Sequence, residues 1–142
     1  MLTLAIIKPD AVAAHATGKI LAHLEGAGFG VRAARLVRLT VGQAEAFYGV
    51  HRERPFFRSL VTFMTSGPAL ALALERADAV SALRDIIGAT DPAEAKAGTI
   101  RKLYAQSKER NAIHASDSAE AAAREVAFFF AEGDLAALTE AR

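Results

Sequence analysis

Apolar residues along this chain fall into short blocks whose spacing changes from one block to the next. Leu2 to Lys8 is an almost unbroken apolar run stopped by Pro9, and it reads as a buried strand. From Gly18 to Gly28 the period is helical: Ile20, Leu21, Leu24 and Ala27 share a face, and Lys19, His23 and Glu25 lie off it. Val31 to Leu39 reads as a second strand with imperfect alternation. Thr40 and Gln43 form a capping box that starts a helix through Phe47 and Tyr48. Pro55, at a first helical position, opens a helix from Phe56 to Thr65 that Ser66-Gly67-Pro68 ends. Ala69 to Glu75 alternates alanine with Leu70, Leu72 and Leu74, which predicts a third strand. Asp78 caps a helix from Ala79 to Ile87, closed by Gly88. Asp91-Pro92-Ala93-Glu94 looks like another helix start, ended by Gly98, and Thr99 caps a short turn through Arg101. A fourth strand is expected just before His114. Asp117, with Glu120 three residues on, is expected to cap a helix from Ser118 to Phe130, and the tail after Gly133 is short.

Strands and helices interleave, so the class is α/β or α+β. The helical connections after the first and third strands suggest a split βαββαβ order. A chain of 142 residues with no internal repeat or linker fits one domain over residues 1–142. The formal net charge of +1 argues against bulk electrostatic binding of nucleic acid or of an acidic membrane surface. The chain has no cysteine, which excludes disulfides and thiolate chemistry and fits a cytoplasmic protein. The N-terminal apolar run is too short for a signal sequence, and no run reaches the length of a membrane-spanning helix. Two phosphate-loop imitations fail. Gly18-Lys19 lacks the glycine five residues earlier, where Ala13 stands, and Ile20 follows the lysine. Gly26-Ala27-Gly28-Phe29-Gly30 ends a helix instead of following a strand.

The stretch Asn111 to Ser118 sets a single histidine, His114, at the mouth of the last long helix. Alone, such a residue is either a surface histidine beside a cap or a nucleophile or general base. Its companions bear on the choice. Arg84, Thr90, Thr99, Arg101 and Lys102 sit near helix ends and turns, where unpaired backbone N–H groups favour phosphate. Lys8 stands at the end of the first strand. Taken singly, each basic residue is a solvated charge. Taken with a histidine, they suit phosphoryl transfer through a phosphohistidine, with the imidazole attacking and the cations neutralising charge on the phosphoryl oxygens.

The blocks Ile7-Lys8-Pro9-Asp10, Tyr48 with His51, Arg54-Pro55-Phe56-Phe57 and Thr65-Ser66-Gly67-Pro68 stand in one order with Arg84 and Gly88-Ala89-Thr90-Asp91-Pro92. Gly98-Thr99-Ile100-Arg101, Asn111-Ala112-Ile113-His114 and Ser116-Asp117-Ser118 with Glu125 continue the series. In this order and spacing the sequence resembles a nucleoside diphosphate kinase along nearly all of its length. The resemblance implies a ferredoxin-like domain with a four-stranded antiparallel sheet covered by helices. It implies a ping-pong reaction in which His114 takes the γ-phosphate of a nucleoside triphosphate, mainly ATP, and passes it to a diphosphate. Lys8 and Asn111 would contact sugar and phosphate, Arg84, Thr90 and Arg101 would hold phosphates, and Phe56 would stack on the base. Tyr48 would orient Lys8, Glu125 and Ser116 would support His114, and the nucleotide would bring Mg²⁺ with it. A homo-oligomer, tetramer or hexamer built from dimers, is also implied. Three positions depart from the family pattern: Ala115 in place of glycine, Lys102-Leu103 in place of Gly-Asp, and Lys108 in place of an apolar residue near the base. None removes a catalytic position. Phe56 reads only a π-surface, so weak base discrimination is expected, with Lys108 tilting it towards guanine. A non-catalytic nucleotide- or protein-binding relative should have lost His114, Lys8 or the arginines, and a nucleic-acid binder needs a basic face interleaved with aromatics.

Overall fold

The computed structural model describes residues 1–135. Four strands, β1 (Leu2–Ile7), β2 (Gly30–Val37), β3 (Ala69–Glu75) and β4 (Ile113–Ala115), form one sheet in the order β2-β3-β1-β4. Every neighbouring pair is antiparallel. The helices are α1 (Pro9–Ala13), α2 (Thr17–Gly26), α3 (Val41–Phe47), α4 (Phe57–Met64), α5 (Ala79–Ile87), α6 (Ile100–Tyr104) and α7 (Ala119–Phe129). This is the expected ferredoxin-like βαββαβ layout, with extra helical turns in its loops.

Strands β1 and β3 are buried on both faces, and that explains their sequences. On β1, Leu4 and Ile6 pack with Phe47, Met64 and Phe129 on one side. Ala5 and Ile7 pack with Ile20, Leu24, Leu83 and Ile87 on the other. A strand with two dry faces has no polar alternation to show, hence the continuous apolar run. On β3 the alternation is one of size. Ala69, Ala71 and Ala73 face the aromatic side, while Leu72 and Leu74 fill the side under α2 and α5. Each fully buried leucine contributes about 1.5–3 kcal/mol relative to exposure. The edge strand β2 slips register between Val31 and Ala33, a bulge that accounts for its broken alternation, and it ends at Val37, two residues short of Leu39.

Several boundaries differ from expectation for local reasons. A five-residue helix with proline at its first position follows Lys8, where only a turn was expected. Helix α2 begins at Thr17 and ends at Gly26, and Gly28 then turns the chain with φ 91°. The helix expected from Phe56 starts one residue later, because Pro55 lies in a turn that precedes it. Asp78 precedes α5 with a left-handed backbone (φ 52°) and makes no side-chain cap. Asp91-Pro92 opens no helix: Asp91 Oδ1 accepts from Ala93 N at 2.9 Å, which closes a local turn. With Gly98 so near, too few residues remain to repay helix nucleation. Ser118, not Asp117, caps α7, with its hydroxyl accepting from Ala121 N at 3.0 Å. Glu120 therefore becomes the second helical residue, out of register for a reciprocal box. His114 lies inside β4 and not after it. The capping box at Thr40 and Gln43 and the Thr99 cap are present, the latter opening α6. Of the tail after Gly133, residues 136–142 lie outside the described part.

Gly88 joins fold to site. Its φ is 87°, and a Cβ there would meet Thr99 Oγ1 at 2.6 Å. That hydroxyl cannot step aside cheaply, since it donates to Lys96 O at 2.7 Å and accepts from Lys102 N at 3.3 Å. Gly88→Ala should therefore cost more than about 2 kcal/mol in urea unfolding, from left-handed strain and overlap together. A loss within about 0.5 kcal/mol, the range of ordinary surface changes, would show that Thr99 yields without penalty.

Candidate active site

The end of the sheet where β1 and β4 lie side by side opens into a cleft of about 590 Å³. Its inner wall carries Lys8, Arg84, Arg101, Asn111 and His114, and its outer lip carries Phe56, Leu60, Lys108 and Glu109. Thr90 and Tyr48 also line it. Eight of the ten residues expected at the site thus border one cavity. The remaining two, Ser116 and Glu125, are buried behind His114.

The histidine is fixed from behind. β4 projects it from the sheet, opposite Ile6. Glu125 on α7 meets its Nε2 at 2.7 Å, and Ser116 Oγ donates to the same carboxylate oxygen at 2.8 Å. Phe47 and Tyr48 set ring edges against the imidazole at centroid distances of 5.4 and 6.0 Å. Nδ1 has no hydrogen bond among the described residues. Burial pushes the His114 pKa below its ordinary 6.5, reinforced by Lys8 and Arg101 and only partly opposed by Glu125. The resting imidazole is therefore neutral. Burial alone would raise Glu125, but hydrogen bonds from His114 and Ser116 outweigh it and keep the carboxylate ionised. A carboxylate on Nε2 selects the tautomer with the proton there and the lone pair on Nδ1.

Lys8 and Arg101 are buried, Arg84 is exposed, and all three donate to neutral acceptors. Lys8 Nζ donates to Asn111 Oδ1 at 2.8 Å, and Asn111 Nδ2 donates to Thr90 O at 3.4 Å. Arg101 donates to Gly88 O at 3.1 Å and to Ile113 O at 2.7 Å, and Arg84 donates to Ala115 O at 3.3 Å. Burial and the neighbouring Arg101 bring Lys8 down to about 8. Burial and Arg84 bring Arg101 down to about 10. The Tyr48 hydroxyl and Arg101 Nε have no partner among the described residues, although both are buried. Tyr48 does not reach Lys8 by a hydrogen bond; the lysine is oriented by Asn111 instead. Buried cations with unfilled donors call for an anionic ligand rich in acceptors.

Asp10 was not singled out by chemistry in the sequence, yet it shapes the site. Its Oδ2 accepts from Ala112 N at 3.1 Å, while Ala112 O accepts from Lys8 N at 2.8 Å. The pair holds Ala112 at φ 74°, between Asn111 and His114. Burial raises the Asp10 pKa. Its place in the Lys8-Pro9-Asp10 block was the available signal. Phe47 shows only helical spacing in the sequence, and nothing in that spacing distinguishes an imidazole wall from core.

Comparison with known proteins agrees with this geometry. The family model described as nucleoside diphosphate kinase matches residues 2–135. The chain is 55% identical over 135 residues to a nucleoside diphosphate kinase of Halorhodospira halophila, covering 95% of this chain and 96% of the relative. It is 57% identical over 129 residues to that of Acidiphilium cryptum, covering 91% and 92%. The solved nucleoside diphosphate kinase of Aquifex aeolicus superposes with a TM-score of 0.93 at 47% identity, covering 94% of this chain and 97% of that one. A halophilic nucleoside diphosphate kinase from Halobacterium salinarum, solved in complex with CDP, superposes with a TM-score of 0.94 at 37% identity, covering 99% and 93%. A histidine held open beside a cluster of cations, two of them buried, on this fold and in this sequence context, makes the chain a member of the nucleoside diphosphate kinase family.

Proposed function

We propose that the chain transfers the γ-phosphoryl group of a nucleoside triphosphate, mainly ATP, to nucleoside diphosphates, with His114 Nδ1 as the nucleophile. The observation that carries this reading is the Glu125–His114 contact, which occupies Nε2 and leaves the other nitrogen free at a cation-lined cleft. In the first half-reaction the Nδ1 lone pair attacks the γ-phosphorus. A P–N bond forms, the bond to the bridging oxygen breaks, and the diphosphate leaves with that electron pair. In the second, a terminal β-phosphate oxygen of the incoming diphosphate attacks the same phosphorus and the P–N bond breaks. No proton need leave Nε2 in either step. The positive charge that builds on the phosphorylated ring is met by the Glu125 carboxylate.

Lys8, Arg84 and Arg101 are the groups suited to stabilise the transferring oxygens, with Asn111 and Thr90 positioning sugar and phosphate. Phe56, 47% exposed at the lip, offers a ring face to the base. Among the described residues no three His, Cys, Asp or Glu stand together as a metal cage. The donors facing the cleft suit a phosphate chain, and Mg²⁺ arrives bound to the nucleotide as part of the substrate. The edge strand β2, with Leu36 66% exposed, offers a surface for pairing with a second copy, and such dimers would be the units of a tetramer or hexamer. Among the described residues no helix is long and apolar enough to cross a membrane. A cytoplasmic location, without nucleic acid or membrane, suits this chemistry.

Two experiments check the reading. Incubation with γ-labelled ATP should give an acid-labile, base-stable phosphoenzyme. His114→Gln should lose it, with transfer below about one percent while nucleotide still binds. More residual transfer would leave only general-base catalysis, worth about 10²–10⁴-fold, and would end the phosphoenzyme account. The second is a pH profile of kcat/KM for enzyme phosphorylation. Transfer needs neutral His114, so the acid limb should have its midpoint below 6.5. It also needs charged Lys8, so the rate should fall as pH rises through about 8. Lys8→Arg keeps its charge and should move that alkaline fall above about pH 10, whatever the absolute rate. An unmoved alkaline limb in Lys8→Arg would assign it to another group.

A further inference from the structure

The lip of the cleft carries two opposite charges, Lys108 and Glu109. Lys108 and Glu109 form the tip of a tight turn. Gln106 N and Ser107 N both donate to Arg110 O, at 2.8 and 3.2 Å, and Arg110 N donates back to Ser107 Oγ at 3.1 Å. Two contacts then fasten this turn to α4, the helix that begins beside Phe56. Ser59 Oγ donates to Glu109 Oε2 at 2.5 Å, and the Arg110 guanidinium lies over the Phe63 ring at 5.3 Å. Phe56, Leu60, Lys108 and Glu109 thus line the same mouth of the cleft. Glu109 Oε1 has no hydrogen bond among the described residues, and Oε2 keeps a second lone pair.

We propose that Ser59 holds Glu109 as an edge-reading acceptor in the base slot, and that with Lys108 it gives the enzyme a preference for guanine diphosphates. This rests on the transfer reading above, which places a nucleoside diphosphate in the cleft with its base on Phe56. Stacking on a phenyl ring is indifferent to the base. A carboxylate and an ammonium side by side are not. Guanine alone among the common bases presents an acceptor, O6, next to two donors, N1–H and the N2 amine. The carboxylate takes the two donors and the ammonium takes O6. Adenine, cytosine and uracil each leave part of that set unpaired, and an unpaired group at a recognition site is what discriminates. Both side chains are exposed, so screening keeps the effect near the low end of base-reading contacts, about tenfold in kcat/KM.

The test uses phosphorylated enzyme as acceptor substrates arrive: kcat/KM for GDP, IDP, ADP and CDP. IDP keeps O6 and N1–H but lacks the N2 amine, so it removes one partner of Glu109 from the ligand side. The unaltered chain should favour GDP over IDP by several-fold and over CDP by about tenfold. Glu109→Gln, which keeps an oxygen for Ser59, should bring the GDP:IDP ratio towards one and leave CDP within about twofold. Ser59→Ala should act in the same direction but less, since the carboxylate remains and only its anchoring is lost. Lys108→Met should lower GDP and IDP together, because both present O6. A GDP:IDP ratio near one in the unaltered chain, or an equal loss for all four substrates in Glu109→Gln, would reduce Glu109 to a structural prop and overturn the proposal. The acid-labile phosphoenzyme, measured in the same preparations, separates the two levels. If it forms normally while the base ratios fail, only the edge-reading idea falls; if the unaltered chain forms none, the transfer reading falls and takes this one with it.

Discussion

Everything at the cleft depends on one peptide unit held against its preference. Ala112 sits at φ 74°, a conformation that costs a non-glycine residue about 1–3 kcal/mol. The backbone N–H of Lys8 and the carboxylate of Asp10 offset that cost by gripping its carbonyl and its N–H. The grip ties the exit of β1 to the entry of β4. On one side of the turn it places Asn111, whose amide oxygen holds the Lys8 ammonium. On the other it places Ile113, whose carbonyl holds Arg101, and His114. Nucleophile and principal cations are thus referred to a single point in the sheet and not to separate mobile loops. Such preorganisation is what electrostatic catalysis needs, because no reorganisation is then required when charge moves.

The cleft concentrates positive charge that its own residues do not balance. Lys8 is brought down to about 8 and Arg101 to about 10, each buried and each beside another cation. Their partners are carbonyl and amide oxygens, with carboxylates acting on Lys8 only from Asp10 and Glu109. A phosphate chain bound there would relieve the repulsion. The same cations help keep His114 neutral until a phosphoryl group is in place. On the proposed transfer reading, one cluster would bind the substrate, keep the attacking lone pair available and offset the charge of the transferred group.

The sequence showed the sheet through its strand patterns, although for β3 the reason differs from the usual one. The Ala/Leu alternation marks two buried faces of different depth, not a wet face and a dry one. Motif spacing brought eight expected residues to the cleft wall because their loops converge at one end of the sheet. What stayed illegible was tertiary. The Asp10–Ala112 grip joins residues 102 positions apart, and no local pattern announces it. Asp91-Pro92 has the local signature of a helix start, but a nearby glycine stops it at one turn. The expected Tyr48–Lys8 pairing gave way to Asn111, which reaches the ammonium from the strained turn. The cap at Ser118 instead of Asp117 moved α7 by one residue without moving Glu125 off His114.

The central claim is that Glu125 selects which imidazole nitrogen reacts. Correlated phosphorus–nitrogen NMR on phosphoenzyme made with ¹⁵N-labelled histidine reads this directly. The account requires the phosphoryl group on Nδ1 of His114, with the proton retained on Nε2 facing Glu125. A phosphoryl group found on Nε2, or on any other side chain, would contradict it.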